Sequence, residues 1–301
     1  MKKSTKTALR LALILIAAGL VCGGLVFALN GFAFPPLDGV VRAEKETVIL
    51  DSFQNVQIDT TSENVRLVTA KDGVCRIVYT GAESTAPSVL VQDGLLHISA
   101  EKYIPWYKDI RIFGRNTELT CYLPERHYHT VSVQNTSGDV LCDVAAYFAA
   151  GEFHTTSGRL TVAGEFQNLT ANSTSGDILV ENSHSAKLCA LKSTSGEIST
   201  QYSSFRVLHT KSTSGSVQFS QTRITEKLEA KVTSGDIRLE AVDAQELYMQ
   251  TSSGSVTGTL TSPKIFIAET NSGLVNVPDT KEGGFCEVHT SSGNIHLEIE
   301  K

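Results

Sequence analysis

Four carboxylates occupy one place in a repeated pattern: Asp139, Asp177, Glu197 and Asp236 each follow a Ser-Gly pair. Carboxylates stacked in successive turns of a coil are the raw material of a calcium ladder. Such a ladder needs a Gly-Gly-x-Gly-x-Asp nonapeptide, with ligands in consecutive turns. Here the same place also holds Arg159, Ser216, Ser255 and Leu274, so the four read as solvated turn carboxylates. The six cysteines offer no better metal site, because no Cys-x-x-Cys pair occurs. Cys142, Cys189 and Cys286 fall in slots that point inward, and Cys121 alternates with Leu119 and Leu123. They read as small buried hydrophobes, and spacing assigns no disulfide. The eight histidines scatter, and the many serines sit in turns with no base implied. Catalysis needs carboxylates, or a nucleophile and its base, converging on one face. Nothing here converges, so the reading is a non-enzyme with no cofactor and no metal.

Two surface features carry more. Lys192, Lys211 and Lys231 recur at the same outward place in three successive repeats. They either pair with Glu197, Glu229 or Asp236 or meet an anionic polymer; a solvated face is the plainer reading. The stretch Tyr103-Ile104-Pro105-Trp106-Tyr107, followed by Ile110, Ile112 and Phe113, holds the only tryptophan. It reads as a lid on one end of the coil. The sharper alternative makes Tyr103, Trp106 and Tyr107 a contact for a protein or glycan ligand.

These residues are positioned by a repeat. A hydroxyl or amide residue followed by Ser-Gly recurs at Gly138, Gly158, Gly176, Gly196, Gly215, Gly235, Gly254, Gly273 and Gly293, 18 to 20 residues apart. A fixed period of that size means stacked turns, each leaning only on its neighbours. Two places beyond each glycine stands Val140, Leu160, Ile178, Ile198, Val217, Ile237, Val256, Val275 or Ile295. Flanking positions alternate apolar and polar, the mark of a half-buried strand. In one repeat, Leu228, Ala230 and Val232 alternate with Glu229 and Lys231. Each repeat therefore reads as strand, tight corner, strand and variable return. Glycine is expected at the corner for its freedom to take left-handed backbone angles. The predicted fold is all-β, a single-stranded parallel β-solenoid with rungs of about 19 residues, spaced about 4.8 Å apart and filled by side chains.

Outside residues 125–301, the regular array, the chain changes character. A degraded rung centred on Glu63 keeps every inward slot and lacks only the glycine. Residues 46–124 read as an N-terminal β cap merging into the coil, with Asp93-Gly94 as a hairpin turn. At the other end the chain stops with its last rung, where Glu298, Glu300 and Lys301 would blunt an open sheet edge; end-to-end association there is the alternative. Residues 11–29 are uncharged and apolar, preceded by Lys2, Lys3, Lys6 and Arg10 in a tail of residues 1–10. Nineteen helical residues span roughly 28 Å, close to a bilayer's hydrocarbon core. The flanking charges place the N-terminus inside and, beyond a linker at 30–45, the solenoid outside. A cleaved signal peptide is the competing reading. Setting those four cations aside leaves 22 basic against 32 acidic residues, which argues against nucleic acid as a partner.

The strings NTSGDV, STSGDI, STSGEI and VTSGDI, after LTCYLPERHYHTVSVQNTSGDV, give residues 50–300 a family look. They resemble the bacterial putative adhesin family, a domain of unknown function built as a parallel β-solenoid. That resemblance implies an exported or membrane-anchored envelope protein and no catalytic residues. The expectation is a non-enzymatic, single-pass cell-surface protein presenting a rigid face or tip to an envelope or host ligand. The alternative is an envelope-stress or signalling accessory. Its tail is too short to signal alone, so it would act through a membrane-protein partner. Ligand and oligomeric state stay open.

Overall fold

The computed structural model describes residues 42–82, 85–100 and 117–300. The candidate anchor at residues 11–29 lies outside them, as do Tyr103, Trp106 and Tyr107. Among the described residues no helix is long and apolar enough to cross a membrane. The chain divides into two compact units, Met1–Arg42 and Ala43–Lys301. The second is a parallel β-solenoid.

Alternating apolar residues make the rungs stack in register. Val140, Leu160, Ile178, Ile198, Val217, Ile237 and Val256 each pair with the next and form one buried aliphatic column. Burying each such side chain contributes about 1.5–3 kcal/mol, and the ladder bonds between rungs satisfy the backbone.

The corner glycines are glycines for a different reason from the one expected. Of the nine, only Gly293 has a positive φ, 157°, and that is nearly extended. What excludes a side chain is the neighbouring rung. A Cβ on Gly158 would overlap the carbonyl oxygen of Gly138, one on Gly176 that of Gly158, and one on Gly196 that of Gly176. The left-handed angles lie at a second corner, six residues on: Asn182, Tyr202, Gln221 and Ala241 have φ of 48°, 48°, 45° and 50°. Each costs roughly 1–2 kcal/mol. At three of the four, the buried hydroxyl next in sequence, on Ser183, Ser203 or Thr222, offsets this; Ala241 is followed by Val242. Ser183 donates to the carbonyls of Val162 and Glu181, and Thr222 to those of Thr200 and Ser220.

Beyond that corner the return is a strand with a core of its own. Phe148, Phe166, Ser185, Phe205, Ile224 and Ala244 pair in turn and are buried. Phe53, Tyr128, Phe148 and Phe166 stack with centroids 6.1, 5.3 and 5.5 Å apart.

At both ends space departs from chain order. The rung containing Glu63 stacks directly on that of Gly138, with Val56 opposite Val131 and Val65 opposite Val140. Strands Leu95–Ser99 and Glu118–Leu123 pair with its other side. Antiparallel strands Cys75–Ala82 and Ser88–Gln92 then cover them. The far end repeats the manoeuvre. The rung of Gly293 is inserted between those of Gly254 and Gly273, with Val256 and Val275 both opposite Ile295. The last strand, Ile295–Ile299, is therefore interior at Ile295 and His296, whereas residues 297–299 pair on one side only among the described residues, and the exposed Glu298 and Glu300 stand where that edge is open. The rung of Gly273 stands at the end.

A candidate ligand-binding face

The strands leading into the Ser-Gly corners form one broad parallel face. Outward residues there must stack, because the inward ones are locked in register. Asn172, Lys192, Lys211, Lys231, Gln250 and His289 form one such column. Thr170, Ala190, His209, Glu229, Tyr248 and Glu287 form the next.

The three lysines differ in their surroundings. Lys231 donates to Glu229, Lys227 Nζ lies 3.3 Å from the same carboxylate, and His209 lies 3.8 Å from it. The Lys231 hydrogen bond, against burial, holds the Glu229 carboxyl below its usual range. Asp236 is taken by Arg238 at 2.6 Å. Lys192 and Lys211 make no ion pair among the described residues. They flank a groove of about 350 Å³ bordered by Asn172, Ala190, His209 and Glu229. Two exposed ammonium groups rooted roughly 4.8 Å apart on adjacent strands repel one another. They can hold a bridging anion; they cannot by themselves do bond chemistry.

The acidic column beyond the corners has a structural task. Asp139 Oδ1 accepts the amide of Arg159 at 2.9 Å, Asp177 Oδ1 that of Glu197 at 2.9 Å, and Asp236 Oδ1 that of Ser255 at 2.9 Å. Asn64, Ser216 and Asn294 do the same on other rungs. Each side chain satisfies a backbone donor one turn along. Inside the corners, Thr155, Ser193 and Ser212 accept the amides of Gly158, Gly196 and Gly215 at 3.1, 2.9 and 3.0 Å. The Thr-Ser pairs themselves face solvent.

A larger groove, about 830 Å³, follows the second corner. Glu125, Asp143, Glu165 and Glu181 line it together with Lys71 and Arg126. Arg126 is occupied: it donates to the Phe53 carbonyl at 2.9 Å and lies over the Phe53 and Tyr128 rings. No group of three or more His, Cys, Asp or Glu among the described residues is placed to hold a metal. This groove was not legible beforehand, because its residues come from the irregular returns of several rungs.

Potential nucleophiles are poorly placed. Cys75, Cys121, Cys142, Cys189 and Cys286 are free and buried. Burial pushes the Cys142 and Cys286 thiols up to about 12 and Cys75 to about 11, so these thiolates are scarce. One exposed contact joins serine and histidine, Ser204 Oγ to His184 Nδ1 at 2.8 Å.

The solenoid geometry agrees with a match over residues 53–297 to the family model described as Toastrack DUF4097. The chain belongs to the Toastrack family. Among solved structures it is similar to a putative lipid binding protein from Parabacteroides distasonis, with 13% identity, 87% of this chain and 98% of that one covered, and a TM-score of 0.51. It is also similar to a putative adhesin from Bacteroides fragilis, with 16% identity, 88% and 100% covered, and a TM-score of 0.49. A putative adhesin from P. distasonis gives 10%, 86% and 98%, and 0.48. No curated protein matches. At such identities the likeness is one of fold, and a Toastrack solenoid leaves function to be argued from its surface.

Proposed function

We propose that this Toastrack solenoid is a non-enzymatic cell-surface binding protein that presents its broad face to an anionic envelope or host ligand. Residues 11–29 serve as its membrane anchor, with the solenoid outside the cell. The observation that carries the reading is the pair Lys192 and Lys211, stacked in register, bordering a groove and without a carboxylate partner among the described residues. Neighbouring cations have carboxylate partners: Lys227 and Lys231 share Glu229, and Arg206 meets Glu226 at 2.7 Å. A rigid column of matched spacing suits a polymer bearing regular phosphate, sulfate or carboxylate groups. The acidic bulk of the chain opposes indiscriminate attachment of such polymers, which favours a local site.

The test uses the full chain in detergent and dextran sulfate or polyphosphate as the probe. Wild type is expected to bind, more weakly as salt rises. The double substitution Lys192→Glu and Lys211→Glu is expected to abolish binding and leave the melting temperature unchanged. Undiminished binding by that variant would overturn the assignment.

A further inference from the structure

The two ends of the coil are finished differently. At the N-terminal end, antiparallel strands cover the outermost parallel ones, and Ile77 and Tyr79 on the covering strand are buried. At the C-terminal end nothing among the described residues covers the rung of Gly273. Among the described residues, strand Lys264–Ser272 pairs only with Gly284–Ser292, and Val275–Asn276 only with Ile295–Ile299. No residue from 265 to 283 is buried. Phe266 and Ala268 stand in the columns of Leu247 and Met249, which are buried, yet they are only partly covered. Ile265 and Ile267 are each 44% exposed, Val275 44% and Leu274 75%. The strand itself is held firmly: buried Lys264 reaches Asp243 at 3.3 Å, and His289 lies 3.6 Å from Glu269.

Such an end calls for a specific kind of cover. A free row of amides and carbonyls is met by another strand edge. Half-covered core residues need apolar partners in the same cross-section. A second copy of this chain offers both at its own open end. Head-to-tail stacking does not, because antiparallel strands already cover the core at the opposite end, where Ile77 and Tyr79 are buried. The likeness is therefore of an end for itself, and a surface that pairs with itself gives a closed two-fold dimer.

We infer that two copies of this chain associate tail to tail, with residues 264–268 of strand Lys264–Ser272 in each pairing antiparallel across a two-fold axis. Antiparallel pairing follows from the axis. With Phe266 on it, Ile265 of one copy falls opposite Ile267 of the other, on the same outward face. The four isoleucines then cover one another, and the two uncovered core ends meet. This inference is independent of the lysine groove, which lies several rungs away on the same face.

Sedimentation of the full chain in detergent, over a range of concentrations, tests it. Wild type is expected to be a dimer. The Ile265→Lys, Ile267→Lys double variant changes only outward side chains. It is expected to keep its melting temperature and raise the dimer dissociation constant by at least about tenfold. Amide hydrogen exchange provides a second reading on unaltered protein: protection of residues 264–268 should rise with concentration. A wild-type monomer at every concentration would overturn the inference. So would a variant that dimerises as well as wild type, since association then runs through another segment. Capture of a different protein by a monomeric wild type would overturn it too.

Discussion

The middle of the solenoid and its ends obey different rules of assembly. From Gly138 to Gly254 each rung lies beside its neighbours in sequence. At the ends, the rung of Glu63 and the rung of Gly293 are each slipped between two others. A terminal rung in chain order would have one paired edge and would fray. An inserted one has two, and the rung outside it is tied covalently at both of its own ends. The array thus protects the first and last rungs in chain order by placing them one step inward. It pays with loop closure, a modest term that grows only logarithmically with length.

The comparison is most sharply broken by two substitutions whose ranking chain position would reverse. Ile295 is near the end of the chain yet fully buried, whereas Val275 is 44% exposed. Ile295→Asp is expected to unfold the solenoid, costing on the order of 4–5 kcal/mol. Val275→Asp should cost no more than about 0.5 kcal/mol. Thermal melts of both variants check this; equal losses would mean that the last rung is not inserted.

Next in size are the glycines. Gly196→Ala forces a methyl against the Gly176 carbonyl, with rungs packed on both sides. A loss of about 3 kcal/mol or more is expected. Gly273→Ala meets the Gly293 carbonyl in the same way, but its rung has a free side and can shift. Denaturant titrations should show it losing less than half as much; similar losses would point to a covered terminal rung.

The smallest effect concerns the polar ladder. Asp177→Ala removes the acceptor for the Glu197 amide and should cost about 1 kcal/mol. Asp177→Asn keeps an acceptor oxygen, as Asn64 and Asn294 do in the same column, and should restore most of it. A metal-binding role would instead make the asparagine variant fail, and added calcium would then raise the melting temperature of wild type alone.

Much of this architecture was legible in the sequence. The alternation around each Ser-Gly pair places Leu228, Ala230 and Val232 inward and Lys231 outward, as observed. Period-two patterning reports which way a residue faces, and that is a local property. Which rung neighbours which is not local, so the insertion of Ile295–Ile299 left no mark in the period. The role of the glycines was misjudged for a related reason. A close approach from another turn and a left-handed φ both demand glycine, and the sequence alone cannot separate them. The inward aromatics Phe148, Phe166 and Phe205 were read as part of a variable return because bulges shift their register from rung to rung. Of the candidate site, the lysine column was visible from its spacing. That Glu229 would claim Lys231 and leave the other two lysines free depends on rotamers and distances.

Insertion of the final strand also has a mechanical side. A pull on Ile295–Ile299 is passed to Gly284–Ser292, which two ladders hold together, so this tip resists peeling one hydrogen bond at a time. A binding protein that works under flow or traction would keep its shape longest where a simple coil would begin to unravel.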